Sequence, residues 1–330
     1  MQKRKARRPA RARAWRARLH ALFGPGAWRD PLLGAALGLV VLVTLEPYVW
    51  LGQLAAELRL QLALLSLLTA LWATWRRHWL RGVGLALAAL LLAWPAGPYL
   101  RAARPTPQHG PVLELMQLHL NEAPGASDAL SAVLRTQRPQ VLSLTGVRRA
   151  ELGDAAGAAP GYRRLPQAVQ GLLLVRDDLA ASPTHANTAA SLRVGGCAVG
   201  LTQLGLPSVF SAASQPARAA ALRNLAQLQL TGRHVLVGAF GSRAGASDLQ
   251  PILAAQGLRD ARLGHGLLAT APGVLGPLGS PTDQVLVRGW ILVREARALP
   301  APVPGAHRGL VLALELTEPR CALQRPPSRR

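Results

Sequence analysis

The hydrophobic pattern of this chain changes character once, near residue 105. Before it, three stretches are apolar with no alternation: 31–51, interrupted by Glu46; 58–75, interrupted by Arg59 and Gln61; and 82–100. Each is long enough to predict a helix crossing the roughly 30 Å hydrocarbon layer of a bilayer. Trp50, Trp75, Trp79, Trp94 and Tyr99 stand near the ends of these stretches, where interfacial aromatics sit. After residue 110 the apolar runs become short. Val112–Leu120, Val141–Thr145, Gly171–Val175, Ser191–Val194, Cys197–Leu204, Val235–Val237, Val285–Val287 and Leu310–Leu316 read as strands. Between them lie three stretches with helical spacing. Ala126–Gln137 carries Leu130, Val133 and Leu134 on one face, with Ser127 as N-cap; Gln215–Leu230 carries Leu222, Leu225 and Leu228; Ser247–Gln256 carries Leu249, Ile252 and Leu253. Alternating strands and helices predict an α/β domain in which at least two sheets share a core.

Charge sets the expected topology. The net charge is +22, and of the 38 Lys+Arg, 16 lie in residues 1–104 against only Asp30, Glu46 and Glu57. A basic tail (residues 1–30) and the short loop Arg76–Arg81 are the positive segments flanking the apolar stretches, so both are expected in the cytoplasm. Three spans (about 31–51, 58–75 and 82–100) then place everything downstream on the other side of the membrane: a linker (101–110), a domain (111–318) and a basic C-terminal tail (319–330). The first span is too long for a signal-peptide core, and Glu46, beside Pro47 at its end, is expected at the interface. The expected partners are the lipid bilayer and an unknown protein or anionic envelope ligand. Nucleic acid is not an expected partner, because after Pro105 only Tyr162, Phe210, Phe240 and Trp290 are available to stack on bases. Cys197 and Cys321 would face an oxidising compartment, but their spacing does not say whether they form a disulfide. No Cys/His cluster has zinc spacing.

The stretch around which the domain is organised is Val235–Ser242, VLVGAFGS, a buried strand running into a tight glycine turn. The C-terminal edge of such a strand is where layered sheet proteins place chemistry. This turn supplies no carboxylate, imidazole or amide.

Six stretches in order resemble the endonuclease/exonuclease/phosphatase superfamily, most closely its bacterial membrane-anchored members. They are LMQLHLN (Leu115–Asn121), QRPQVLSLTGV (Gln137–Val147), VLVGAFGS, LQPILAAQGLRDA (Leu249–Ala261), SPTDQVLV (Ser280–Val287) and GAHRGLVLALEL (Gly305–Leu316). The resemblance covers about residues 110–316 and implies a four-layer α/β-β/α sandwich behind the three-helix anchor. In that family a divalent cation, Mg²⁺ or Mn²⁺, polarises a phosphate while an Asp–His set activates water. Carried over position by position, the functional residues depart from the pattern. His119 stands for an asparagine, Gly146 for the metal-binding glutamate and Gln203 for a histidine. Ala239 and Gly241 replace an Asp and an Asn, while Gln284 and Ala306 replace the second and first members of two Asp-His pairs. Only Asp283 and His307 keep the expected type.

The resemblance therefore implies a membrane-anchored relative that is catalytically inactive, with no cofactor, and binds a protein or anionic ligand outside the cytoplasmic membrane. The alternative is a divalent-metal-dependent phosphodiesterase or phosphatase with an altered site at Asp283 and His307. A third reading makes the helices the functional part and the domain a passenger, so that function survives deletion after Arg104. On the residues alone, Asp283 is expected to cap the turn after Pro281, and His119 and His307 to be packing residues. Arg148, Arg149 and Arg243 are expected near the site, where they would oppose a metal. Ser242, with no base nearby in sequence, is not expected to be a nucleophile.

Overall fold

A computed structural model describes residues 31–103, 110–148, 159–165, 171–183 and 189–317. The predicted tails, most of the linker and Arg149 lie outside the described residues. The chain divides into two units, one ending at Pro95 and one starting at Ala96.

In the first unit the predicted span 31–51 is not one helix. It forms α1 (Pro31–Thr44), then turns, then resumes as α2 (Trp50–Glu57). Pro47 explains the break, since it lacks an N–H and disfavours helical geometry in the residue before it. α1, at 14 residues, is about 21 Å long and falls short of a bilayer. α3 (Arg59–Trp75) follows α2 across a 67° bend. α4 (Trp79–Ala93) continues through one 3-10 turn into α5 (Gly97–Leu100), and Trp79–Leu100 is long and apolar enough to cross a membrane. Among the described residues there is thus one such helix, or two if the bent α2–α3 pair counts as one span. Glu46 is buried and paired with Arg59 at 3.3 Å.

The second unit holds two six-stranded sheets. The first has the order β11 (Ile291–Ala298), β12 (Leu310–Leu316), β1 (Val112–His119), β2 (Val141–Thr145), β4 (Gly171–Arg176), β3 (Tyr162–Leu165). The second has the order β5 (Ala180–Pro183), β6 (Ala189–Val194), β7 (Cys197–Gln203), β8 (His234–Ala239), β10 (Asp283–Arg288), β9 (Arg259–Asp260). One apolar core, including Leu113, Leu115, Val199, Val235, Val285 and Leu312, fills the space between them. A second core lies under α6 (Ala126–Gln137) and a third under α7 (Gln215–Gln227) and α8 (Gln250–Ala255). The result is helix, sheet, sheet, helix, as expected. Two readings shift: Gly125, with φ +76°, occupies the N-cap position of α6 in place of the predicted Ser127. The sequence also hid β11, a strand at the edge of its sheet with a bulge between Val293 and Glu295 that spoils the alternation. Cys197 is disulfide-bonded; the chain's other cysteine, Cys321, lies outside the described residues.

Candidate functional site

β1 and β2 run parallel with His119 opposite Thr145, β7 and β8 run parallel with Gln203 opposite Val237, and β10 runs antiparallel to β8 with Asp283 opposite Ala239. The carboxyl ends of four strands and the start of a fifth therefore meet at one end of the sandwich. The loop before β12 adds His307, whose N–H donates to the His119 carbonyl at 2.9 Å.

Three sequence-predicted residues come together there. His307 Nδ1 is 2.7 Å from Asp283 Oδ2 and donates to that carboxylate. The His119 and His307 rings lie 4.4 Å apart, tilted by 44°. His119 Nδ1 is 2.9 Å from Thr145 Oγ1, which also accepts from Gln117 Nε2 at 3.1 Å. Asp283 does not use its carboxylate to cap the turn after Pro281, the role read from local sequence. The Asp283 carboxylate receives His307, and the Asp283 backbone N–H donates to the Thr270 hydroxyl at 3.1 Å. Burial pushes the Asp283 carboxyl up, but the hydrogen bond from His307, the charge of both imidazoles and Thr270 outweigh it and hold the group below its ordinary range. Asp283 Oδ1 is buried with no hydrogen-bond partner.

The other expected positions are built for packing. Gly146 has φ +64°, and a Cβ there would lie 2.6 Å from His119 Cε1 and 2.8 Å from the Asn121 nitrogen. The imidazole of His119 thus occupies the space a side chain at 146 would need. Gln203 Nε2 donates to Ser143 Oγ at 2.9 Å and to the Leu172 and Leu144 carbonyls, tying one sheet to the other. At Gly241, φ +60° and 2.5 Å from a virtual Cβ to Ser208 Cα leave no room for a longer side chain. Ala306 is buried in the apolar cluster under α6. Gln284 Nε2 donates to the Ser242 and Pro281 carbonyls, while its Oε1 accepts from Arg262. Ser242 is itself fully buried and accepts from Arg218 Nη2 at 2.7 Å.

Of the arginines expected here, Arg148 bonds the Glu122 carbonyl at 2.6 Å and Arg243 bonds the Gly245 carbonyl. Sequence reasoning missed Arg262, the centre of the site's floor. Its guanidinium is fully buried, pairs with Asp260 at 2.7 Å and reaches the Pro281 and Asp283 carbonyls. Its only sequence signal was its place two residues after Asp260.

A divalent metal of the kind the fold implies does not fit these residues. Mg²⁺ takes hard oxygen ligands in a near-octahedral shell. Among the described residues Asp283 is the one carboxylate bonded to the histidine pair, and Gly146, Ala239 and Ala306 offer no side-chain oxygen. Among the described residues no group of three or more His, Cys, Asp or Glu is placed to hold a metal ion.

The geometry has a pH signature. Burial, with His307 adding to it and Asp283 opposing it, lowers the His119 pKa from 6.5 to about 4. Between those values the unfolded chain binds a proton that the folded chain does not, so stability falls as pH falls from about 6.5 towards 4. The loss expected from His119 at pH 5 is on the order of 2 kcal/mol. Urea unfolding of His119→Gln at pH 5 and 7.5 checks it, since the gap between the two midpoints should narrow. An unchanged gap would show that His119 is not the group responsible.

No family profile matches the sequence, and no curated protein sequence matches it. Solved structures do resemble it in chain path. The endonuclease domain of TRAS1, a telomere-specific non-LTR retrotransposon, is 15% identical; the match covers 63% of this chain and 100% of that one, with a TM-score of 0.49. An endonuclease/exonuclease/phosphatase family protein from Bacteroides thetaiotaomicron is 11% identical over 64% of this chain and 97% of its own, with a TM-score of 0.48. A mannosyl-6-phosphatase from the same organism is 13% identical over 61% and 99%, with a TM-score of 0.46. At such identities no residue role transfers from these proteins. Six motif-like segments fall in order on β1, β2, β8, α8–β9, β10 and β12, and the two sheets stack as that resemblance requires. In chain path the two-sheet α/β domain is similar to solved proteins of the endonuclease/exonuclease/phosphatase family.

Proposed function

We propose that this chain is a membrane-anchored protein of endonuclease/exonuclease/phosphatase fold that does not catalyse hydrolysis, and that its domain binds a protein or anionic ligand outside the cytoplasmic membrane. The observation that carries the reading is Gly146. At the place of the expected metal-binding carboxylate stands a residue with φ +64° whose side-chain space is filled by His119. Membrane anchoring is supported by the inverted packing of α3. Its buried positions are Ala63, Ser66, Ala70 and Ala73, while Leu65, Leu68 and Leu71 are more than half exposed. Water would reverse that order, whereas lipid favours small residues between helices and leucines outside. The Cys197 disulfide suits an oxidising compartment.

A second reading, a divalent-metal-dependent phosphodiesterase with an altered site, is favoured by one observation. Asp283 and His307 form a bonded pair, and Asp283 Oδ1 is still unpartnered. The full-length chain in detergent, given a generic phosphodiester or plasmid DNA with Mg²⁺ or Mn²⁺, separates the two. No metal-dependent turnover and no thermal shift on adding metal are expected. Turnover that disappears in an Asp283→Ala, His307→Ala double variant would establish the enzyme instead.

A further inference from the structure

We propose that the end of the domain bearing His119, Asp283 and His307 rests on an anionic bilayer surface, with the loop 272–279 dipping into it. This deepens the membrane-anchored reading above and rests on it.

Three observations converge on that end. Residues 99–103, ahead of β1, contact the domain there. The Ala103 N–H donates to the Gly264 carbonyl at 3.0 Å, the Gly266 N–H to the Tyr99 carbonyl at 2.9 Å, and the Tyr99 hydroxyl to Asp260 Oδ2 at 3.0 Å. Gly264, with φ +84°, would bring a Cβ within 3.1 Å of the Ala103 Cβ, so the entering segment lies flat against the loop after β9. The start of the predicted linker is thus fastened to the domain, on the loop that leads towards the site.

That same loop is unlike an ordinary water-facing loop. Residues 263–282 contain no Lys, Arg, Asp or Glu. Val274 is 90% exposed, Leu278 56% and Leu275 49%. Three large aliphatic side chains held out on one short turn lose favourable burial unless something apolar receives them. The loop is also held close to the site. The Ala271 N–H donates to the Ser280 carbonyl at 2.9 Å, and the Arg308 N–H, next to His307, donates to the Thr270 carbonyl at 2.9 Å.

Charge identifies the occupant. Among the described residues of the segments that form this end stand Arg101, Arg148, Arg243 and Arg308, against the exposed acids Glu122 and Asp128. Apolar side chains beside arginines match the boundary between acyl chains and anionic headgroups. A protein partner or a second copy of the chain would cover the aliphatic residues equally, so the test must separate them from lipid.

The full chain is reconstituted in phosphatidylcholine vesicles containing one quarter phosphatidylglycerol. An environment-sensitive fluorophore is placed in turn on Val274→Cys, on Trp290→Cys at the opposite end of the domain, and on Leu87→Cys in α4, with the native melting profile confirmed for each. The label at 274 is expected to shift to the blue, to lose quenching by aqueous iodide and to be quenched by chain-labelled lipid; the label at 290 stays open to iodide. A lipid-quenched label at 87 with an iodide-quenched label at 274 overturns this inference and leaves the anchor standing. An iodide-quenched label at 87 overturns the anchor and the inference with it. A label at 274 shielded from both quenchers overturns it in favour of a protein-covered face.

Discussion

Replacing Arg262 with methionine is expected to lower the stability of the folded domain by about 3–5 kcal/mol, the usual cost of breaking a buried pair from one side. Arg262 and Asp260 are both buried, with the guanidinium on the carboxylate through Nε and Nη2. The same guanidinium satisfies Gln284 Oε1 and the Pro281 and Asp283 carbonyls. Methionine would fill much of the volume but leave Asp260 charged among groups that no longer compensate it. The loss should appear as a large fall in melting temperature for the full chain in detergent. An Asp260→Asn, Arg262→Met double variant should recover part of it, because the stranded charge is gone. A single variant within about 0.5 kcal/mol of wild type, the range of an ordinary surface change, would mean that water reaches Asp260.

Restoring the missing carboxylate with Gly146→Glu is expected to destabilise the domain rather than revive a metal site. A residue with a Cβ at φ +64° costs about 1–2 kcal/mol through backbone sterics alone. Forcing atoms against the His119 ring and the Asn121 backbone adds about 1–3 kcal/mol of overpacking. Adding His119→Asn should relieve the part of the second cost that comes from the His119 ring, and none of the first. Melting of the single and double variants measures both, and a hydrolysis assay with Mg²⁺ runs beside them. If the single variant melts like wild type and gains metal-dependent turnover, the inactive reading is wrong and the site is one substitution from function.

Much of the fold was legible because it is written in local pattern. Buried strands such as VLSLT and VLVGA are uninterrupted apolar or small-residue runs, and their burial follows directly. The strands that escaped notice carry mixed signals. YRRL at Tyr162–Leu165 exposes both arginines, and β11 is bulged. The candidate site was legible by type and not by role. Asp283 and His307 could be picked out, but their bond joins β10 to the loop before β12, a pairing that no spacing encodes. Likewise nothing local links Arg262 to Gln284, since β9 and β10 pair from separate segments.

By itself, the sequence determined that apolar helical segments precede an α/β domain, that six segments in order resemble those of one known superfamily, and that the oxygen ligands a metal needs are absent from Gly146, Ala239 and Ala306. These are matters of composition and period, which each segment carries alone. Only the tertiary structure decided that the first apolar stretch breaks into α1 and α2, that His119 fills the space beside Gly146, and that Tyr99, Asp260, Arg262 and Gln284 are linked in a line from the domain's entry to the floor of the site. Those outcomes depend on which distant groups meet once water is excluded. A buried donor or acceptor must find its partner wherever packing brings one within reach.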